Sequence, residues 1–559
     1  MLHKKDTHLS TAPQVSSRWR TPLLALVTFA GFLVRLLGIG WGLPNPTTHW
    51  HSYHPDEFQI VDPAFAISQG LDFNPHNFIY GNLLQNLNAL VLKLASWTGH
   101  TALPEGMANI YLWPRLTTVL FGTLSIALLY RIGCVVGHPS IGLLAAALLA
   151  FAPGHALHSS FATVDVPATF FALFCLLQGL RAIESKASAR PALLGGIAAG
   201  LAASAKYPSG LVLLVLWIAL FLGQQRIRSY LISALAAFLA FALTSPYVFL
   251  AFDEFQRALR GVAANSRTGM IFLFSGMGNG WSYQGLVSLP YILGIPTFLA
   301  SLLALPLIAR HWGKKAVLLL AYLLIFFFYT GLSKNLFLRY ALPLSPVLCL
   351  LAAALPQLLL RPGRFKQWVS LLLVGAAGLL SLGVMGAKAM RGPRDQARAW
   401  LWSEVPAGTS MGVPDWPGPL EVPLALNNGG EGAEAMIRAE QASGRARFKL
   451  VVCSDWDLAK LKNEKPTFFV LSEFSWRDVR RLKGKTKRLG FAKGQENLRK
   501  FVVDWARRGN QFLDTLESDY ELAKRFTTFP PSLCRLFGAG FAPHDWLYPF
   551  PEVRVYRRK

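Results

Sequence analysis

The amino-acid sequence predicts a polytopic α-helical membrane domain of about eleven transmembrane helices, residues 1–390, followed by a soluble α/β domain over residues 391–559. Three observations carry this. Hydrophobic residues make up 53% of the chain and charged residues only 15%, where soluble chains have about a quarter charged. Residues 1–390 hold 26 Lys+Arg and 10 Asp+Glu, whereas residues 391–559 hold 29 and 20. The basic residues of the first part fall largely in short connections between apolar runs, as in a multi-pass membrane protein. The net charge of +25 therefore follows membrane topology, and no nucleic-acid partner is expected.

A helix needs roughly 20 apolar residues to cross a bilayer. Such runs lie near 22–40, 110–133, 140–154, 162–180, 191–205, 208–223, 229–250, 288–309, 316–332, 340–360 and 367–388. The opening "MLHKKDTHLSTAPQVSSRWR" is a basic, polar lead-in with no small-residue cleavage site after the run it precedes, which predicts an uncleaved first span. With the N-terminus cytoplasmic, the connections on that side hold Arg131; Arg181, Lys186 and Arg190; Arg226 and Arg228; Arg310, Lys314 and Lys315; and Arg361, Arg364 and Lys366. Glu184 is their one acid. The opposite face receives Asp56, Glu57, Asp62, Asp72, Glu105, Asp165, Asp253 and Glu254, eight of the ten acids in the first 390 residues. This is the known orientation bias, and it places residues 391–559 outside the plasma (inner) membrane.

Two outer loops are long, about 41–109 and 251–287. In the first, "NLLQNLNALVLKLASW" sets Leu83, Leu84, Leu87, Leu90, Val91 and Leu94 at helical spacing among too many polar residues to span. An interfacial helix is expected there. In the last third, "RDQARAWLWSEV", "DWDLAKLK" and the Ser-capped "SWRDVRRLK" read as helices. "GTSMGV", "FKLVVCS", "TFFVLSEF" and "EVRVYRR" read as strands, which predicts a small, mostly parallel sheet. It carries no GxGxxG or GxxxxGK[ST], hence no phosphate-binding loop. The run "RRLKGKTKR" reads as a solvated or headgroup-facing surface. The five cysteines have no metal spacing; Cys134, Cys175 and Cys349 lie in or beside apolar runs, and a disulfide between Cys453 and Cys534 stays open.

Ionisable groups at membrane depth are costly and by default line a cavity or a functional site. Four stretches of the outer half carry them: "HSYHPDEF", with Asp56 and Glu57; "PGHALHSSFATVDVP", with His155, His158 and Asp165; "SAKYPSG", with Lys206 and Tyr207; and "SKNLFLRYALPLSP", with Lys334, Arg339 and Tyr340. Each has a plain alternative. The carboxylates could be solvated loop residues, the histidines hydrogen-bonded structural groups, and Lys206 and Arg339 could snorkel to lipid phosphates. Their place together on one face of a chain with few other charges favours a cavity with acids at one side and cations at the other. Such a cavity suits a substrate carrying a phosphate beside a reacting carbon.

These motifs resemble the phospholipid-carrier-dependent glycosyltransferases of the GT-C superfamily, in the branch with protein O-mannosyltransferases and lipid A aminoarabinose transferases (family 39/83 type). "HPDEF" resembles their acidic motif in the first outer loop, and "GLDFNPHNFIYGNLL" the stretch after it. "HSSFATVDVPATFF", "GLAASAKYPSGLVLL" and "FLRYALPLSPVLCLLAA" resemble the later blocks, in order, over about residues 22–390. The resemblance implies an inverting enzyme that moves a hexosyl or pentosyl unit from a polyprenyl-phosphate donor to a lipid, glycan or protein acceptor on the outer face. It implies Asp56 as the base, with Glu57 orienting the acceptor or a metal. It implies Lys206 and Arg339 as donor-facing cations, with His54, Tyr80, His158, Asp165, Tyr207 and Tyr340 as further substrate-binding residues. Partial burial and the charge of Glu57 would strengthen Asp56 as a base. The cofactor is left open, a divalent cation near Asp56 and Glu57 being one option. One departure matters: the aminoarabinose branch has a lysine soon after the loop-one tyrosine, where "IYGNLL" offers Tyr80 and Asn82.

A transporter or flippase of lipid-linked sugars would also be polytopic with a charged cavity, but would need neither an adjacent carboxylate pair nor a large outer domain. A sensor or assembly protein would leave "HPDEF" dispensable. The loop charges make a direct prediction: reporter fusions after Lys315 and after Pro393 should report opposite sides of the membrane. The same side for both would refute the topology.

Overall fold

The structure is a computed structural model that describes residues 17–48, 51–99, 101, 103, 106–185, 188–414, 420–424, 446–486, 489, 496–529, 534–538 and 541–559. Most of the N-terminal lead-in, Glu105, Lys186 and the end of the basic run after Thr486 lie outside these residues. Each of the eleven predicted apolar runs coincides with helix. Seven helices among the described residues are long and apolar enough to cross a membrane, and nine if two bent pairs each count as one span. The remaining runs form Arg190–Ala205 and the shorter apolar helix Tyr207–Leu222. The protein is a multi-pass membrane protein.

Local chemistry explains the bends. Helix Pro139–Ala150 turns by 61° into Pro153–Ser159, and Pro153 opens the second limb because it has no N–H to continue the first ladder. Gly280–Leu293 turns by 119° into Ile295–His311. Gly294 sits there at φ +76, with Pro296 in the first turn that follows. Helices Arg190–Ala205 and Ile227–Thr244 approach so closely that a Cβ on Gly200 would lie 2.2 Å from the Ala237 carbonyl oxygen. Gly196 meets Ser233 in the same way. Small residues four apart let two membrane helices pack backbone to backbone.

The polar connections sort by face. Lys315 pairs with Glu184 at 2.5 Å and reaches the Val135 carbonyl, while Lys314 reaches that of Leu222. The ends of three helices and the start of Gly313–Leu332 therefore meet on one face, and it is a basic one. The four stretches with candidate site residues gather at the other end of the bundle.

The first long loop folds into helices Phe58–Ser68 and Leu83–Ser96. In the second, Gln85 and Asn88 turn inward with Leu84 and Leu92, while Leu90, Leu94 and Trp97 are exposed. The helix thus packs a mixed face inward and leaves three large apolar side chains exposed on the other.

The polar domain contains five strands, β1 (Ser410–Val413), β2 (Lys449–Val452), β3 (Phe468–Ser472), β4 (Tyr520–Phe526) and β5 (Val553–Arg558), in the order β2-β1-β3-β5-β4. The sheet is mixed, not mostly parallel: β1 runs parallel to β2 and β3, but β5 is antiparallel to both β3 and β4. β4 was not foreseen because its middle five residues are exposed, so it shows no apolar alternation. Helix Glu496–Asp519 was also not foreseen, although Val502, Ala506, Phe512, Leu513 and Leu516 line its buried face at helical spacing. In the basic run, Arg480 and Lys483 pair with Asp514 of this helix, and Arg481 with Asp478. All five cysteines are free, so Cys453 and Cys534 are not bridged.

The chain does not stay in the polar domain once it has left the membrane. Phe529, Phe537, Trp546, Tyr548 and Phe550 are buried in the same core as the membrane helices. Trp546, fully buried, packs edge-on against Tyr291 at 5.0 Å. Only after this excursion does the chain return to form β5.

Candidate active site

The two carboxylates of "HPDEF" have opposite surroundings. Glu57 is fully buried. Arg115, from the first half of helix Met107–Val136, donates Nε to Oε1 and Nη2 to Oε2, both at 2.7 Å. Ser52 Oγ and the Ala162 amide donate to the same carboxylate at 2.5 and 2.8 Å. Arg115 Nη1 donates in turn to the carbonyls of Ile39 and Trp41 at 2.6 Å. Burial works to raise the Glu57 carboxyl, but Arg115 and these hydrogen bonds outweigh it and hold it below the usual carboxylate range. Each Glu57 oxygen faces two donors, so in this structure Glu57 anchors the loop. Among the described residues, no group of three His, Cys, Asp or Glu side chains could hold a metal ion.

Asp56 points the other way and is 29% exposed. Its Oδ2 lies 2.9 Å from Nη2 of Arg339, an ion pair outside hydrogen-bond alignment. Arg339 belongs to the 3-10 turn Leu338–Leu344 and packs its guanidinium over Phe337 at 4.2 Å. Tyr80 lies within electrostatic reach of Asp56, Arg339, Asp165 and Tyr340, and burial as the largest cause raises its hydroxyl well above the ordinary value. Lys206 pairs with Asp165 at 2.5 Å and sits 4.5 Å over the Tyr340 ring. Tyr207 donates its hydroxyl to the Tyr80 carbonyl at 2.8 Å, which fixes the loop carrying Tyr80. Six predicted residues thus form one cluster, with Tyr207 bracing it from behind.

His54 lies beside it. Its Nδ1 accepts the Asp56 amide, so the proton is assigned to Nε2. The ring is wedged between Phe161 at 4.5 Å and Tyr548 at 4.8 Å. Burial first, then Arg339 and His158, push the imidazole well below its usual value and keep it neutral. His158 is buried behind the cluster with Nε2 3.9 Å from Asp545, and so lines no opening. Asn82, which stands near the family's lysine position, is also buried; its backbone N–H donates to Ser245 Oγ and its side-chain amide to Gln85 Oε1.

Several residues at the site were not foreseen. Lys388, near the end of helix Arg364–Ala389, is buried with Nζ 2.5 Å from Ser160 Oγ and 4.1 Å from the Phe161 ring. Arg35 donates to the carbonyls of Leu149 and Ala150 and meets His155 Nδ1 at 3.0 Å. Arg35, Arg115 and Lys388 each carry the signal that singled out other residues, a charge within an apolar run. Asp545 and Tyr548 carry no such signal, lying more than 200 positions beyond the arginine they serve.

Residues 112–249 match the model of a family described as dolichyl-phosphate-mannose-protein mannosyltransferase. The matched segment holds Arg115, His158, Asp165, Lys206 and Tyr207. No curated protein sequence matches the chain. Among solved structures, the chain is similar to the Archaeoglobus fulgidus oligosaccharyltransferase in its apo form, at 12% identity and a TM-score of 0.48 over 98% of this chain and 89% of that one. It is also similar to ArnT from Cupriavidus metallidurans, at 16% identity and a TM-score of 0.46 over 84% and 95%. A third similarity is to the arabinofuranosyltransferase AftD from Mycobacteria, at 17% identity and a TM-score of 0.44 over 82% and 35%.

Removing one partner of a buried ion pair strands the other, at about 3–5 kcal/mol. Glu57→Gln and Arg115→Ala should therefore each lower the thermal midpoint and the folded yield in detergent. The Asp56→Asn protein should melt close to wild type. Wild-type melting of both Glu57→Gln and Arg115→Ala would show that the pair does not anchor the loop.

Proposed function

We propose that this protein transfers a sugar from a polyprenyl-phosphate donor to an acceptor on the outer face of the membrane, with inversion at the anomeric carbon. One observation carries the reading: a partly exposed carboxylate, Asp56, faces a nearly buried arginine, Arg339, at the membrane end where Lys206, Tyr80 and Tyr340 also converge. The matched family's description, a mannosyl group moved from dolichyl phosphate to protein, supports the donor class. The sugar and the acceptor are left as classes, a hexosyl or pentosyl unit and a lipid, glycan or protein.

Chemically, an acceptor hydroxyl attacks the anomeric carbon, its proton goes to Asp56, and the bond from that carbon to the phosphate oxygen breaks. The polyprenyl phosphate leaves with the bonding electron pair. Arg339 and Lys206 are placed to stabilise the charge that grows on the leaving phosphate, where preorganised cations act most strongly. In this structure Arg339 and Asp56 form an ion pair outside hydrogen-bond alignment. A phosphate drawing Arg339 toward itself would release Asp56 to act as base, which links donor binding to base activation. The outer location follows the loop-charge bias that sets basic connections on the opposite face.

Asp56→Asn keeps shape and hydrogen bonding but removes basicity, and should cut turnover by roughly 10²–10⁴-fold without weakening donor affinity. Wild-type turnover in a folded Asp56→Asn protein would make the carboxylate ordinary loop solvation. Arg339→Ala should both raise the donor KM and slow turnover, by about 1.5–3 kcal/mol for each charge-assisted hydrogen bond removed. Steady-state kinetics with a lipid-phosphate-linked sugar reads both, and unchanged constants for Arg339→Ala and Lys206→Ala would assign these cations to snorkelling instead.

A further inference from the structure

We propose that the C-terminal segment 541–550 completes the phosphate end of the active site, with Asp545 and Tyr548 acting as positioning residues for Arg339. This rests on the reading that Arg339 meets the donor phosphate.

The geometry begins at the backbone. The turn Leu338–Leu344 starts with amides that have no acceptor within the turn itself. Asp545, fully buried, supplies one: Leu338 N donates to Oδ1 and Arg339 N to Oδ2, each at 3.0 Å. A carboxylate spanning the first amides of a helical turn also meets the positive end of its dipole. The residue held in this way is Arg339 itself. At the other end of the side chain, Arg339 Nη1 donates to the Tyr548 hydroxyl at 3.4 Å. Arg339 is thus located at its main chain and at its guanidinium by two residues three positions apart in a distant segment.

The segment is anchored well enough to do this. Trp546 is wedged among Tyr291, Phe529, Phe537 and Phe550. The segment's carbonyls are met from three elements: Tyr291 Oη donates to Phe541 O at 3.1 Å, Arg477 Nη1 to Ala542 O at 2.9 Å, and Arg394 Nη2 to Tyr548 O at 2.5 Å. Arg394 and Arg477 come from the polar domain, so that domain also holds the segment in place. This gives the outer domain a role inside the membrane site: docking its last residues sets where the donor phosphate is gripped.

The test uses the full-length protein in detergent, with geranylgeranyl phosphate as the probe. Tyr548→Phe and Asp545→Asn should each weaken its binding by about 3- to 10-fold, the value of an ordinary hydrogen bond. Neither should weaken it further when combined with Arg339→Lys, since residues acting through one another are not additive. Tyr548→Phe removes one hydroxyl and should melt like wild type, which separates positioning from general damage. Wild-type affinity in both variants, with weaker binding in Arg339→Lys, would overturn the positioning role and leave the phosphate assignment standing. Equal binding by wild type and Arg339→Lys would instead remove the phosphate assignment. Amide hydrogen exchange over residues 336–345 then decides: faster exchange in Asp545→Asn supports positioning, and unchanged exchange overturns it.

Discussion

The buried pair of Glu57 and Arg115 is the interaction on which the site depends. A first outer loop of about seventy residues has no reason of its own to present one carboxylate at a fixed point above a helix bundle. The pair supplies that reason. Arg115 rises from an apolar helix, grips Glu57 with two parallel hydrogen bonds and closes the carbonyls of Ile39 and Trp41 with its remaining nitrogen. The Ala162 amide adds a link from the loop before Asp165. Three separate stretches are drawn to one point, and the preceding residue, Asp56, is left facing Arg339. Adjacent residues here point apart, so a pair that looks redundant in sequence divides into anchor and working group.

The rest of the site follows the same economy of charge. Asp56 faces Arg339, Asp165 faces Lys206, and Glu57 faces Arg115. Buried charges are tolerated when paired and hydrogen-bonded, so the cluster can be rich in ionisable groups while carrying little net charge. Of these pairs, the one between Asp56 and Arg339 is the most open to disruption. It is partly exposed and out of hydrogen-bond alignment, whereas Glu57 and Arg115 are sealed by four donors and two carbonyls.

The polar domain contributes to this centre through its tail and not through its sheet. Between β4 and β5 the chain descends into the membrane core, and Asp545 and Tyr548 meet the arginine turn there. The aromatic residues of that excursion explain its stability, since Trp546 and its neighbours bury large apolar surfaces that the polar domain could not cover.

The class of the molecule and the neighbourhood of its site were legible in one dimension. Apolar run length and the shortage of charge give helices that cross a membrane, because no other open structure satisfies the backbone in lipid. Charges that survive at membrane depth mark the places where they are tolerated, and Asp56, Asp165, Lys206 and Arg339 stand out on that ground. Pairing was not legible. Which carboxylate of "DE" is buried depends on Arg115, some sixty residues away, and no local pattern joins them. The same holds more strongly for Asp545, whose partner amides lie over two hundred residues earlier. β4 shows the limit in miniature: an exposed edge strand has no alternation to read and exists only because β5 is beside it. Periodicity and charge are local properties and can be read along the chain. Ion pairing, helix capping and sheet order are decided by which distant segments meet, and only the folded chain brings them together.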